Sequence, residues 1–166
     1  MIDTPRIVDL PAVQVAFIPV VVPRPQIREV MGPGIAEVLA AVAAQGQSPA
    51  GPWLTHHQRI DPEVFDFRIC VPIASPIRRA GRVQAGELAA ARVAQTVYRG
   101  PYEGLADAWP EFRAWTAAAG LVMRTDIWER YVLGPESSDD PAQWCTELNW
   151  PLAGPESPST TQGANE

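Results

Sequence analysis

Apolar and polar positions follow two spacings along this chain, and the order in which the spacings change is repeated. Val13 to Val22 is a nearly continuous apolar run, interrupted at Gln14 and Pro19, of a length that suits a buried strand. Ile35, Val38, Leu39 and Val42 then recur at the spacing of one helical face, and Gly46 supplies a stop. After the Pro/Gly-rich turn from Ser48 to Pro52, Trp53 to Gln58 predicts a short strand, and Phe65, Phe67, Ile69, Val71 and Ile73 alternate along another. The order is strand, helix, strand, strand.

It returns after the polar stretch from Ser75 to Glu87. Arg92 to Tyr98 is strand-like, and Leu105, Ala108, Trp109, Phe112, Trp115 and Ala119 mark an apolar helical face ending at Gly120. Ile127 to Leu133 and Trp144 to Leu152 give two more strands, joined by the turn-rich segment Gly134 to Pro141. Val71-Pro72-Ile73 and Trp150-Pro151-Leu152 close the two copies alike. Two copies of one β-α-β-β unit predict an α+β fold: an antiparallel sheet with two main helices, pseudo-twofold symmetry and a ligand groove between the halves. Pro110 conflicts with the second helical pattern, since an interior proline costs about 3 kcal/mol. The helix either starts near Pro110 or kinks there.

At 166 residues and 46% hydrophobic, the chain suits one domain with a core of its own. The expected domain is 1–152, with halves of roughly 5–74 and 88–152, and the Pro/Ser/Thr/Gly-rich tail 153–166 is expected to be disordered. A net charge of -6 without a basic cluster argues against nucleic acid as a partner. The early apolar run is too short and too interrupted to span a bilayer and lacks a basic n-region, so no membrane partner and a cytoplasmic location are expected. Cys70 and Cys145 are too few for a disulfide scaffold, and His56-His57 point opposite ways on a strand, so neither a metal site nor a cofactor is expected.

The halves differ in their aromatics. Five of the six tryptophans (Trp109, Trp115, Trp128, Trp144, Trp150) and all three tyrosines (Tyr98, Tyr102, Tyr131) lie in the second. Aromatics fill cores. Here carboxylates are threaded among them, in Trp128-Glu129-Arg130-Tyr131 and in Thr146-Glu147-Leu148-Asn149-Trp150. In the last strand, parity places Trp144, Thr146, Leu148 and Trp150 on one face and Cys145, Glu147 and Asn149 on the other. Glu147 then has two readings. It forms an ion pair with Arg68, its counterpart in the first half, or it stands on the floor of an aromatic groove. There it would receive a cation with cation–π support of about 0.5–2 kcal/mol.

The ordered series Tyr98-Arg99-Gly100-Pro101-Tyr102-Glu103-Gly104-Leu105, Ala108-Trp109, Trp128-Glu129-Arg130-Tyr131, Gly134-Pro135, Thr146-Glu147-Leu148 and Pro151-Leu152 resembles the GyrI-like small-molecule-binding domains. These are related to the effector-binding domains of multidrug-sensing transcription regulators. The resemblance implies the duplicated fold and a pocket for lipophilic, cationic or flat aromatic molecules, lined by Glu147, Tyr131, Trp109, Tyr98 and Trp128. No DNA-binding helices precede the domain, so a stand-alone binding protein that senses or sequesters drugs is expected. The alternatives are a hydrolase that opens the cyclopropane of DNA-alkylating natural products with Glu147 and Tyr131, and an inhibitory partner of DNA gyrase.

Overall fold

The computed structural model of the chain describes residues 1–154. The expectation of a disordered tail therefore lies, from residue 155 on, outside the described residues. Eight strands form one antiparallel sheet: β1 Arg6–Leu10, β2 Val13–Pro23, β3 Leu54–Ile60, β4 Val64–Pro72, β5 Gln84–Leu88, β6 Ala91–Arg99, β7 Ile127–Leu133 and β8 Cys145–Pro151. Their order is β1-β6-β8-β7-β3-β4-β2-β5. Two helices, α1 Ile27–Ala44 and α2 Leu105–Ala118, pack on it. The predicted repeat is present as β2-α1-β3-β4 and β6-α2-β7-β8.

Two strands were not anticipated. β1 and β5 are each separated by two residues from the strand that follows, yet neither pairs with it: β1 pairs with β6 and β5 with β2. Each half thus lends its leading strand to the other half, and the sheet curls so that its two edges approach. Short edge strands carry a weak alternation signal, and β5 falls in a stretch whose composition reads as polar linker.

Register fixes the pseudo-twofold. Val15 opposes Pro72 as Val93 opposes Pro151, and Thr55 opposes Ile69 as Glu129 opposes Leu148. Irregularities recur at matching places, between His57 and Arg59 and between Tyr131 and Leu133. At the seam of the halves Thr55 opposes Glu129, with Leu54 on Arg130 and His56 on Trp128 at either side. The symmetry axis therefore passes through the Thr55/Glu129 pair, and these two residues are each other's counterparts.

The helices cover one face of the sheet. Val38 and Val42 of α1 pack on Ile18, Val20, Phe67, Ile69 and Val71, while Ala108 and Phe112 of α2 pack on Ala94 and Leu148. Removing the whole Phe112 side chain from water contributes about 1.5–3 kcal/mol. At Gly34 a β-carbon would meet Ile69 Cδ1, so glycine lets α1 lie close on β4. The opposite, inner face of the curl joins both halves through Val15, Phe17, Leu54, Cys70, Leu88, Val93 and Trp128.

Both helices end at the predicted glycines, each in a left-handed conformation (φ 76° at Gly46, 69° at Gly120). α1 begins at Ile27, earlier than the apolar pattern suggests, and carries Pro33 inside it. Pro110 also lies within its helix, which starts five residues earlier at Leu105 after a 3-10 turn over Tyr102–Gly104. Of the two options for Pro110, a helix start is thereby excluded. The proline leaves the Ala106 carbonyl without its usual partner four residues on.

Candidate functional site

Two rows of side chains cross the helix-covered face of the second half. In the first, Tyr98 of β6 opposes Thr146 of β8, which opposes Tyr131 of β7. Trp53 continues this row, its carbonyl accepting from the Tyr131 amide at 3.1 Å. In the second row stand Thr96, Leu148, Glu129 and Thr55. Aromatic rings crowd the first row: Trp53 stacks on Tyr131 (centroids 4.0 Å, planes 18° apart). Tyr102, from the turn before α2, meets Tyr131 edge-on at 5.6 Å and leans on Trp144 at 5.0 Å.

Glu129 is the carboxylate of this cluster. The indole N–H of Trp109, reaching in from α2, donates to its Oε1 at 2.6 Å, and the Tyr131 hydroxyl donates to its Oε2 at 2.5 Å. Because Tyr131 donates to Glu129, its oxygen accepts from the Thr55 hydroxyl, 3.0 Å away. The Thr55 oxygen is then free to accept from His57 Nε2, at 3.2 Å. The chain of donors thus runs in one direction, from His57 through Thr55 and Tyr131 to Glu129, and assigns the Nε2–H tautomer to His57. Burial holds His57 below the usual histidine range, against the pull of Glu129, and the ring lies on Phe67 at 5.1 Å. Burial and the adjacent Glu129 push the Tyr131 hydroxyl well above its ordinary value. Burial, with Glu136 and Glu129 nearby, raises that of Tyr102 to about 12. Both phenols therefore keep their protons throughout the physiological range.

Of the five site residues expected from sequence, Tyr131 and Trp109 meet at one carboxylate. Tyr98 stands in the same row, buried, with its hydroxyl donating to the Pro101 carbonyl at 2.8 Å. Glu147 and Trp128 lie on the other face of the sheet. Trp128 belongs to the inner apolar cluster, and Glu147 accepts from Asn149 Nδ2 at 3.0 Å with Arg130 at 3.9 Å. Glu147 thus does not stand in the groove with Tyr131, nor does it pair with Arg68, whose guanidinium sits over the Phe17 ring at 4.6 Å. The parity of β8 was read correctly. Glu147 opposes Arg130, though, and Tyr131 opposes Thr146, which puts Glu147 and Tyr131 on opposite faces. Glu129 was overlooked although it precedes Tyr131 by two residues and must share its face in a strand. Trp53, Thr55 and His57 come from the first half, and no local pattern connects them to Tyr131.

Two cavities lie elsewhere. One of about 450 Å³ is lined by His56, Gln58, Arg124, Thr125 and Asp126, and one of about 560 Å³ by residues that include Ile7, Leu121 and Leu152. Neither is lined by Tyr98, Trp109, Trp128, Tyr131 or Glu147. Trp53 covers one face of Tyr131, and Tyr102 meets the same ring at nearly a right angle. Among the described residues no helix is long and apolar enough to cross a membrane.

A duplicated α+β sheet whose second half gathers aromatic rings around a carboxylate defines a class of small-molecule-binding domain. The chain belongs to the GyrI-like small molecule binding domain family, whose sequence profile matches residues 3–153. The C-terminal domain of EcmrR has the same fold, with a TM-score of 0.79, 19% identity, and coverage of 92% of this chain and 98% of that one. This chain spans 58% of the EcmrR chain solved in a complex with DNA. SAV2435, solved bound to tetraphenylphosphonium, aligns with a TM-score of 0.67 at 12% identity over 92% of this chain and 95% of that one. A protein from Listeria innocua described as a hydrolase aligns at 0.56 and 13% identity, over 90% of this chain and 91% of that one. No curated protein sequence matches the chain.

Proposed function

We propose that the chain binds flat or bulky lipophilic cations over Tyr131, with Glu129 as the charge partner. The observation that carries this reading is the Glu129 carboxylate, held by Trp109 and Tyr131 among four further aromatic side chains (Trp53, Tyr98, Tyr102 and Trp144). Its two donors leave it an acceptor with spare lone pairs in a largely aromatic setting, where a cation compensates the partly buried charge. Ring faces add cation–π attraction of about 0.5–2 kcal/mol. A ligand enters against Tyr131 where Tyr102 now meets it edge-on. The role is that of a binding module that senses or sequesters such molecules.

The hydrolase alternative needs Glu147 to act with Tyr131, and their places on opposite faces of the sheet do not favour it. The gyrase-partner alternative rests on the family resemblance alone. The test is a titration of tetraphenylphosphonium into the wild type and Glu129→Gln, followed by calorimetry and by tryptophan fluorescence. The expected loss is about 1.5–3 kcal/mol, roughly tenfold to more than a hundredfold in affinity. A neutral flat aromatic should lose much less. Equal losses for both ligands, or no loss for the cation, would overturn the reading.

A further inference from the structure

The row that runs Tyr98, Thr146, Tyr131, Trp53 has one small member. Thr146 is a notch between two tyrosines, fully buried, and among the described residues its Oγ1 is the one buried side-chain polar atom without a hydrogen-bond partner. A buried hydroxyl left unpaired is costly, and one in a native fold calls for an explanation. Valine would fill the same space without that cost. Tyr98 does not serve the hydroxyl, since it donates to the Pro101 carbonyl, and Tyr131 is committed to Glu129 and Thr55. Thr146 lies diagonal to Glu129, which opposes Leu148 on the same face. Diagonal neighbours on one face of an antiparallel pair are about 7–8 Å apart.

We infer that Thr146 is a specificity-determining contact of the aromatic site. The site then selects aromatic cations that carry a hydrogen-bonding substituent on the ring edge, over cations clad only in hydrocarbon. The inference rests on the proposed role of Glu129 and adds a second recognition point to it. Glu129 takes the charge, the rings take the flat body, and the Thr146 hydroxyl takes an amino, hydroxyl or carbonyl group at the far edge once Tyr102 swings off Tyr131. A hydroxyl is both donor and acceptor, so either kind of substituent is accepted.

The test compares ethidium, which carries amino groups on its ring edge, with tetraphenylphosphonium, which has no hydrogen-bonding group. Both are titrated into the wild type, Thr146→Val, Thr146→Ser and Glu129→Gln. Thr146→Val should lose about three- to tenfold in ethidium affinity while its affinity for tetraphenylphosphonium stays within about twofold. Thr146→Ser, which keeps the hydroxyl, should bind ethidium as the wild type does. The unliganded Thr146→Val protein should melt at the same or a higher temperature. Equal losses for both ligands, no loss for ethidium, or a serine variant as weak as valine would overturn the inference. If Thr146→Val behaves as stated but Glu129→Gln weakens neither ligand, the charge role of Glu129 fails and the hydroxyl contact stands. Failure of the wild type to bind either ligand overturns both.

Discussion

Around the axis through Thr55 and Glu129 the molecule repeats its backbone and changes its chemistry. Counting back from the terminal glycines of the two helices, Ile35 and Val42 of α1 occupy the places of Trp109 and Thr116 in α2. Across the sheet, His57 stands where Tyr131 does, and Thr55 where Glu129 does. Even a contact is repeated: His57 reaches Thr55 two residues away as Tyr131 reaches Glu129. In the first half Ile35 and Val42 join the apolar layer under α1, and only Thr55 and His57 are polar. In the second, the same positions receive a carboxylate, its two donors and a set of rings. The difference teaches that such a polar and aromatic cluster needs no special backbone. One half of a symmetric scaffold gives up apolar packing, and the other keeps it in Val38, Val42, Phe67 and Ile69.

Core truncation separates the halves most strongly. Phe112→Ala should destabilise the fold by about 3–5 kcal/mol, because a fully buried ring leaves a cavity under α2. Its counterpart Val38→Ala should cost less, in keeping with the smaller volume removed, and chemical denaturation of both variants measures the difference. Equal losses would show that the structure under α2 collapses around the missing ring.

The donor chain gives the next effect. Tyr131→Phe strips a donor from Glu129 and from Thr55 its better-placed partner, and should cost about 1–3 kcal/mol. His57→Phe should cost less, because Thr55 keeps Tyr131. A reversed order would mean that the chain is anchored at the histidine end.

Acid should act through His57. Its value is lowered by burial, with Glu129 opposing the shift and Arg24 and His56 supporting it, and its ring faces Phe65 and Phe67. Above the unfolded value of about 6.5 the histidine is neutral in both states and its contribution is complete. As pH falls below that, the unfolded chain takes up the proton first and stability is lost. The melting temperature should therefore drop as the pH falls through about 6.5, and less so in His57→Gln. Asp126, held below the carboxylate range by His56 and Arg124 despite its burial, loses its own contribution only at lower pH. Parallel curves for wild type and His57→Gln would refute the assignment.

Glu147→Gln should do least. The carboxylate, only 17% exposed, has Arg130 at 3.9 Å and accepts from Asn149 Nδ2, which a glutamine oxygen can still do, and it lies on the face away from Tyr131, so the change in stability should be about 1 kcal/mol or less. Tetraphenylphosphonium affinity should be unaltered. A large loss of cation binding in this variant would move the site to the inner face of the curl.

The sequence by itself determined the repeat, the helical faces, the glycine stops and the parity within each strand. Each of these follows from spacing along a single element, 3.6 residues for a helix and two for a strand. It also determined that rings and carboxylates concentrate in the second half, and that Glu129 must share a face with Tyr131. Only the tertiary structure decided which faces of different strands coincide, because register between strands comes from pairings tens of residues apart. That is why Glu147 and Tyr131 lie on opposite faces, and why Trp53, Thr55 and His57 of the first half join the cluster around Tyr131 in the second. It is also why β1 and β5 pair across the halves. Five-residue strands carry too little pattern to announce themselves, and they form because the curled sheet offers each of them an edge with unmet hydrogen bonds.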